Sequence, residues 1–194
     1  MRIIAGKAGG RRLKSPDTKG TRPATDRVRE AVFSSIGNWV EDSVVADLYA
    51  GSGSFGLEAL SRGAASAVFV EKGRKALQAL RSNVKLVGLG GTVIESTVQD
   101  YLARANHRFH LVFMDPPWDD PTEEMEDDLE KLDRLLLPNA EVVVSRRHDD
   151  RVPSVPENWR VAAEKRYGDT RIIRYEKVED HDDGPEDGAV PGEL

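Results

Sequence analysis

Asp115-Pro116-Pro117-Trp118 ends a short apolar run, Leu111–Met114, with an acid, two prolines and a flat aromatic ring. A residue before proline is pushed toward extended backbone, so Asp115 is restricted by Pro116 and Pro116 by Pro117. Neither proline has an N–H. The corner therefore offers mainly acceptors, the Asp115 carboxylate and the nearby carbonyl oxygens. An acceptor-only corner suits a ligand group that only donates, such as the exocyclic amine of a nucleobase. Trp118 adds a face on which that base can stack, worth on the order of 1–3 kcal/mol. Taken alone, the four residues fit a structural turn equally well, with Trp118 as a core or interface anchor.

A second constellation lies upstream. Asp47 precedes Gly51, Gly53 and Gly56, a G-x-G-x-x-G pattern between an apolar run and a helical one. Glycines there permit a tight turn and close backbone approach to a ligand. Glu71, twenty residues beyond Gly51, ends the next apolar run and is placed to accept hydrogen bonds from ribose hydroxyls. A dinucleotide would fit the glycines, but Asp47 would repel its pyrophosphate. A carboxylate at that point suits a cationic amine, which S-adenosylmethionine (AdoMet) carries beside its sulfonium. Asp100 follows the third apolar run; it could accept from the adenine amino group, or cap a helix.

Elements able to bring these residues together can be read from periodicity. Apolar runs at 43–48, 66–71, 92–95, 109–114 and 140–147 alternate with helical patterns, which implies a parallel, doubly wound α/β sheet. The segment 159–178 reads as two strands around Tyr167-Gly168-Asp169-Thr170, an antiparallel hairpin at the end of the sheet. A helix is predicted over about Thr122–Leu136, ended by Pro138-Asn139, and another from Val28 to Ile36 with Thr25 or Asp26 as N-cap and Gly37 as stop. Residues 2–16 read as a small β-hairpin or arm. In such sheets ligands bind beyond the carboxyl ends of the strands, and Asp47, Glu71, Asp100 and Asp115 all fall at such ends.

The net charge of −6 is unevenly spread. Residues 1–30 hold nine basic side chains against three acids, whereas residues 179–194 hold seven acids and neither Lys nor Arg. The other 178 residues sum to +1, so the basic end suggests a polyanionic partner. Residues 119–133 carry nine acids and one lysine, the pattern of a solvated helix face turned away from such a partner. No cysteine is present, which excludes disulfides and thiolate metal sites. No apolar run approaches the ~20 residues of a membrane helix, and residues 1–7 lack a signal-like apolar stretch. A cytoplasmic, metal-free monomer is expected.

Together, Asp47, the glycine turn, Glu71 and Asp115–Trp118 resemble the motifs of class I AdoMet-dependent methyltransferases, and DPPW is similar to the [DN]-P-P-[YFW] signature of enzymes that methylate amines of nucleic acid bases. Trp118 stands where that signature usually has Tyr or Phe. "MRIIAGKAGGRRLKSP" followed by "TRPATDRVREAVFSSI" resembles the leader of RsmD-type methyltransferases, which modify a guanine N2 in bacterial 16S ribosomal RNA. The resemblance implies a Rossmann-like, mostly parallel seven-stranded sheet with a C-terminal antiparallel hairpin and a basic N-terminal hairpin/helix extension. It implies AdoMet as cofactor, and 16S rRNA of the small subunit or its assembly intermediate as partner. The catalytic residues would be Asp115, Pro116 and Trp118; AdoMet would be held by Asp47, Gly51, Gly53, Gly56, Glu71 and Asp100. Arg11, Arg12, Lys14, Arg22 and Arg27 would contact RNA phosphates, and Thr25, Asp26 and Arg29 would help wall the active site. Three segments follow: a basic RNA-binding extension over 1–37, a methyltransferase domain over 38–178, and an acidic disordered tail over 179–194. The alternatives are an N6-adenine DNA methyltransferase, disfavoured by the lack of room for a target-recognition region, and an inactive RNA-binding assembly factor, disfavoured by the intact acids.

Overall fold

The computed structural model describes residues 1–16 and 25–178. Arg22 and the acidic segment from residue 179 lie outside them. Seven strands, β1 (Val44–Leu48), β2 (Ser66–Glu71), β3 (Thr92–Glu95), β4 (Phe109–Met114), β5 (Leu136–Arg147), β6 (Trp159–Tyr167) and β7 (Thr170–Lys177), form one sheet in the order β3-β2-β1-β4-β5-β7-β6. The first five are parallel neighbours, and β7 runs antiparallel between β5 and β6. The order reverses between β1 and β4. Ligands of such sheets bind at that switch point.

Among the described residues five α-helices cover the sheet: α1 (Asp26–Ile36), α2 (Ser54–Ser61), α3 (Arg74–Val87), α4 (Val98–Arg104) and α5 (Thr122–Asp133). Central strands are apolar on both faces because both faces are covered. Val45, Leu111 and Phe113 face a core shared with α1, α2 and α3, whereas Ala46, Leu48, Val112 and Met114 face one shared with α4 and α5. Thr25 proves to be the N-cap of α1, its hydroxyl accepting from Val28 N–H, and Gly37 ends the helix at φ 62°. The helix α5 stops at Asp133, earlier than its sequence suggests, and β5 starts at Leu136. Leu135 and Leu136 are buried, and the Arg134 guanidinium binds the carbonyls of Leu102 and Ala105, which turns the chain there.

Residues 1–16 are not a free arm. They form a hairpin-like loop with one bridge, Arg2–Arg12, whose Ile3, Ala8 and Leu13 are buried in the same core as α1 and α2. The buried Glu58 carboxylate of α2 accepts from Ile4 N–H at 2.7 Å and Ala5 N–H at 3.1 Å. Gly6 lies so close to α2 that an added Cβ would sit 1.8 Å from the Ser61 carbonyl oxygen. The Asn83 carboxamide of α3 accepts from Lys14 N–H and donates to both Lys14 O and Ser52 O, at 2.8–2.9 Å. The acidic helix α5 is not wholly solvated either. Asp128 is buried and accepts from Tyr49 Oη at 2.6 Å and Gln99 Nε2 at 2.9 Å.

Candidate active site

Asp47 is the fourth residue of β1, beside Phe113 of β4, and its side chain is buried. One carboxylate oxygen accepts from Gly56 N–H in the first turn of α2 at 2.9 Å. Burial raises its pKa to about 8, with the charges of Asp115 and Glu71 adding to the rise and the Gly56 bond opposing it. Glu71 ends β2 and spans two turns: Gly51 N–H donates to one oxygen at 2.8 Å and Gly73 N–H to the other at 2.6 Å. Asp115 follows β4. Burial lifts its pKa to about 6, against a hydrogen bond from the Ser145 hydroxyl.

These three carboxylates line a cavity of about 640 Å³ together with Tyr49, Gly51, Phe55, Val98, Gln99, Pro116 and Trp118. The cations of its lining, Lys72, Arg74, Lys75 and Arg147, are exposed, whereas Asp47 is buried. A carboxylate whose pKa is raised by burial and by neighbouring carboxylates, as Asp47 is, has no buried cation beside it. A cationic ligand would supply it, and the lone pairs left on Glu71 suit hydroxyl donors. The residues present therefore fit AdoMet.

The three glycines divide the work. Gly51 lines the cavity at φ 56°, a left-handed conformation glycine adopts without strain. Gly53 and Gly56 do not line it. A Cβ on Gly53 would meet Leu80 Cδ1 at 2.5 Å, and one on Gly56 would meet Phe69 Cε1 at 2.4 Å. They let α2 lie against β2 and α3, which keeps the first-turn N–H of Gly56 on Asp47. Asp100 is displaced as well. It is exposed at the start of α4, where the cap is Thr97, and Ser96, Val98 and Gln99 line the cavity instead. The odd spacing from strand end to helix start turned its neighbour inward.

A second cavity, of about 360 Å³, is lined by Thr25, Arg27, Val28, Asp115, Trp118, Ser145 and residues 166–170. Asp115 and Trp118 thus belong to both cavities. The turn is held from behind: buried Arg146 donates to the Asp120 carbonyl at 3.1 Å and lies 2.9 Å from Asp150. The Arg147 guanidinium carbon stands 5.3 Å from the centroid of the Trp118 ring. Helix α1 is placed over the cavity by Phe33, whose ring packs 5.4 Å from Phe113 and 6.5 Å from Phe55.

Of the basic residues assigned to RNA phosphates, Arg12, Lys14 and Arg27 are exposed, and Arg27 also lines the second cavity. Arg11 is engaged by the protein. Its guanidinium donates to Leu86 O at 2.9 Å and Val87 O at 2.6 Å, the end of α3, where a cation is favoured by the helix dipole. Thr25 does wall the site, but Asp26 and Arg29 serve to dock residue 2: Arg29, fully buried, binds Asp26 at 3.0 Å and the Arg2 carbonyl. Sequence reasoning missed Ser145, Arg146 and Arg166, and took 167–170 chiefly as a hairpin turn. Ser and Arg at the end of a buried β5, in register beside β4, were the available signal.

Strand order, the glycine turn and the acids at the switch point define a Rossmann-like methyltransferase. A family model described as "Conserved hypothetical protein 95" matches residues 1–176, and the chain belongs to that family, the RsmD-type methyltransferases. It is 36% identical over 178 residues to "Ribosomal RNA small subunit methyltransferase D" of Escherichia coli, covering 91% of this chain and 90% of that protein. It is 33% identical to "Putative rRNA methyltransferase YlbH" of Bacillus subtilis, covering 91% and 99% respectively. A solved structure, "Putative methyltransferase yhhF from Escherichia coli", superposes with a TM-score of 0.83 at 35% identity, covering 92% of this chain and 98% of that one. As a methyltransferase, the protein requires a methyl donor.

Proposed function

We propose that the protein transfers a methyl group from AdoMet to the exocyclic N2 amine of a guanine in 16S rRNA, within the small ribosomal subunit or its assembly intermediate. The names of the relatives support rRNA as the substrate. The observation that carries the chemistry is the shared wall: one turn, Asp115–Trp118, faces both a cavity fit for a cationic donor and a second cavity.

When bound, AdoMet supplies a methyl carbon on a cationic sulfur, a good leaving group. Asp47, with Glu71 beside it, would hold the ligand's amine, and Glu71 its ribose hydroxyls. Asp115 accepts one hydrogen of the target amine and a carbonyl of the proline corner accepts the other. This orients the nitrogen lone pair, otherwise delocalised into the ring, toward the methyl carbon. Placement at near-attack distance provides much of the rate enhancement. Methyl transfer would make the nitrogen cationic, and the Asp115 charge would stabilise it. The extra proton then leaves the nitrogen, so no strong base is needed. Trp118 stacks on the base after it has flipped from its helix. The exposed Arg12 and Lys14 would contact phosphates.

Labelled AdoMet offered with unmodified small-subunit particles, naked rRNA and duplex DNA tests this directly. The expected product is N2-methylguanine in small-subunit rRNA. Label in DNA alone, or as N6-methyladenine, would replace guanine by adenine as the target.

A further inference from the structure

The second cavity is bordered by an exposed cation that the transfer chemistry leaves unused. Arg27 is the second residue of α1, and among the described residues no hydrogen bond or ion pair engages its guanidinium. Its neighbours are committed. Asp26 pairs with Arg29 at 3.0 Å and lies 3.8 Å from Arg2, and Thr25 caps Val28 N–H. The Arg166 guanidinium is tied to its own turn, donating to Gly168 O at 2.7 Å. The helix start therefore presents Arg27 and the positive end of its dipole to the cavity, while its one acid is neutralised on another side. Helix α1 is rigidly seated. Phe33 packs on Phe55 and Phe113, and Arg174 of β7 bonds Ser35 Oγ at 2.6 Å.

Purine chemistry gives such a group a use. With N2 of guanine on Asp115, the next ring atom is N1–H and the atom beyond it carries O6, an acceptor. With N6 of adenine on Asp115, the next ring atom is a bare N1 and the one beyond carries only C–H. A donor facing Asp115 across the base thus separates the two purines, and a carboxylate beside the amine can take N1–H as well. Building on the guanine reading above, we propose that Arg27 is a specificity-determining residue: its guanidinium donates to O6 of the flipped guanine, so this arginine reads the base rather than a phosphate.

The test uses 2-aminopurine, which keeps the C2 amine and the stacking surface but lacks O6 and N1–H. Small-subunit particles are reconstituted with rRNA carrying either guanine or 2-aminopurine at the labelled position. Transfer by the wild-type chain and by Arg27→Met, which keeps the apolar stem, is compared as kcat/KM. The wild-type chain is expected to prefer guanine by about 100-fold or more, and Arg27→Met to reduce that preference by about 10- to 100-fold, the worth of a good base contact. Arg27→Lys should restore part of it. An unchanged preference, with both substrates weakened equally and the salt slope of binding reduced by about 1, is the signature of a phosphate contact and overturns the proposal. Absence of label from guanine with the wild-type chain would instead remove guanine methylation, and the Arg27 role with it.

Discussion

The two cavities that meet at Asp115 and Trp118 are built in different ways. The larger one is made by consecutive strand ends: Asp47, Gly51 and Glu71 lie within 25 residues and are fixed by backbone N–H groups of their own turns. The smaller one is assembled from α1, the end of β4, Ser145 and the β6–β7 turn, segments spread from residue 25 to residue 170. One is preorganised by local geometry and is anionic inside. The other exists only after the whole sheet has formed, and carries guanidinium groups.

Asp115, common to both, gives the largest effect. Asp115→Ala should lower the rate of transfer by about 10²–10⁴-fold, as for loss of a group that stabilises developing charge, while AdoMet binding persists. Single-turnover transfer measured against pH should rise through about 6, where Asp115 ionises, and level off above. A rate independent of pH across that range would show that its charge is not used.

Asp47 tests the larger cavity alone. A cation binds its ionised form, so AdoMet affinity should climb by up to about tenfold per pH unit toward pH 8 and then flatten. Without ligand the sign reverses. An unfolded Asp ionises at about 4 and the folded one at about 8, so the unfolded state holds fewer protons between those values. Ligand-free stability should therefore fall as pH rises through that window. Asp47→Asn is expected to flatten the fall and raise Tm at pH 8 while losing AdoMet, as calorimetry and titration would report; a lower Tm at pH 8 would contradict the uncompensated charge.

Gly6→Ala strikes the assembled side. Its Cβ meets Ser61 backbone and its φ is 80°, so a loss of about 1–3 kcal/mol is expected in denaturant unfolding. Because residues 1–16 hold α1 through Arg29 and Arg2, RNA methylation should suffer more than AdoMet binding. The smallest effect separates two adjacent arginines. Arg12→Ala should reduce the salt slope of RNA binding by about 1, whereas Arg11→Ala should cost about 0.5–1.5 kcal/mol of stability and leave that slope alone.

The contrast also explains what was legible in the sequence. Strand ends, glycines and the proline corner are local signals, and they located Asp47, Gly51, Glu71 and Asp115. Contacts between distant segments leave no such trace. Asp128 reads as one more surface acid until Tyr49 and Gln99 are seen on it, and Arg11 reads as a phosphate ligand until α3 ends beneath it. The turn at 167–170 read chiefly as a turn. Asp100 lies one residue beyond Gln99, which lines the cavity from the start of a helix capped by Thr97.

The shared turn has an evolutionary consequence. Asp115 and Trp118 answer to two cavities at once, so a substitution there reshapes both and few replacements suit each. Thr25, Arg27 and residues 166–170 answer to one. Those positions can drift, and carry the choice of target with them, while the methyl-donor end stays as it is.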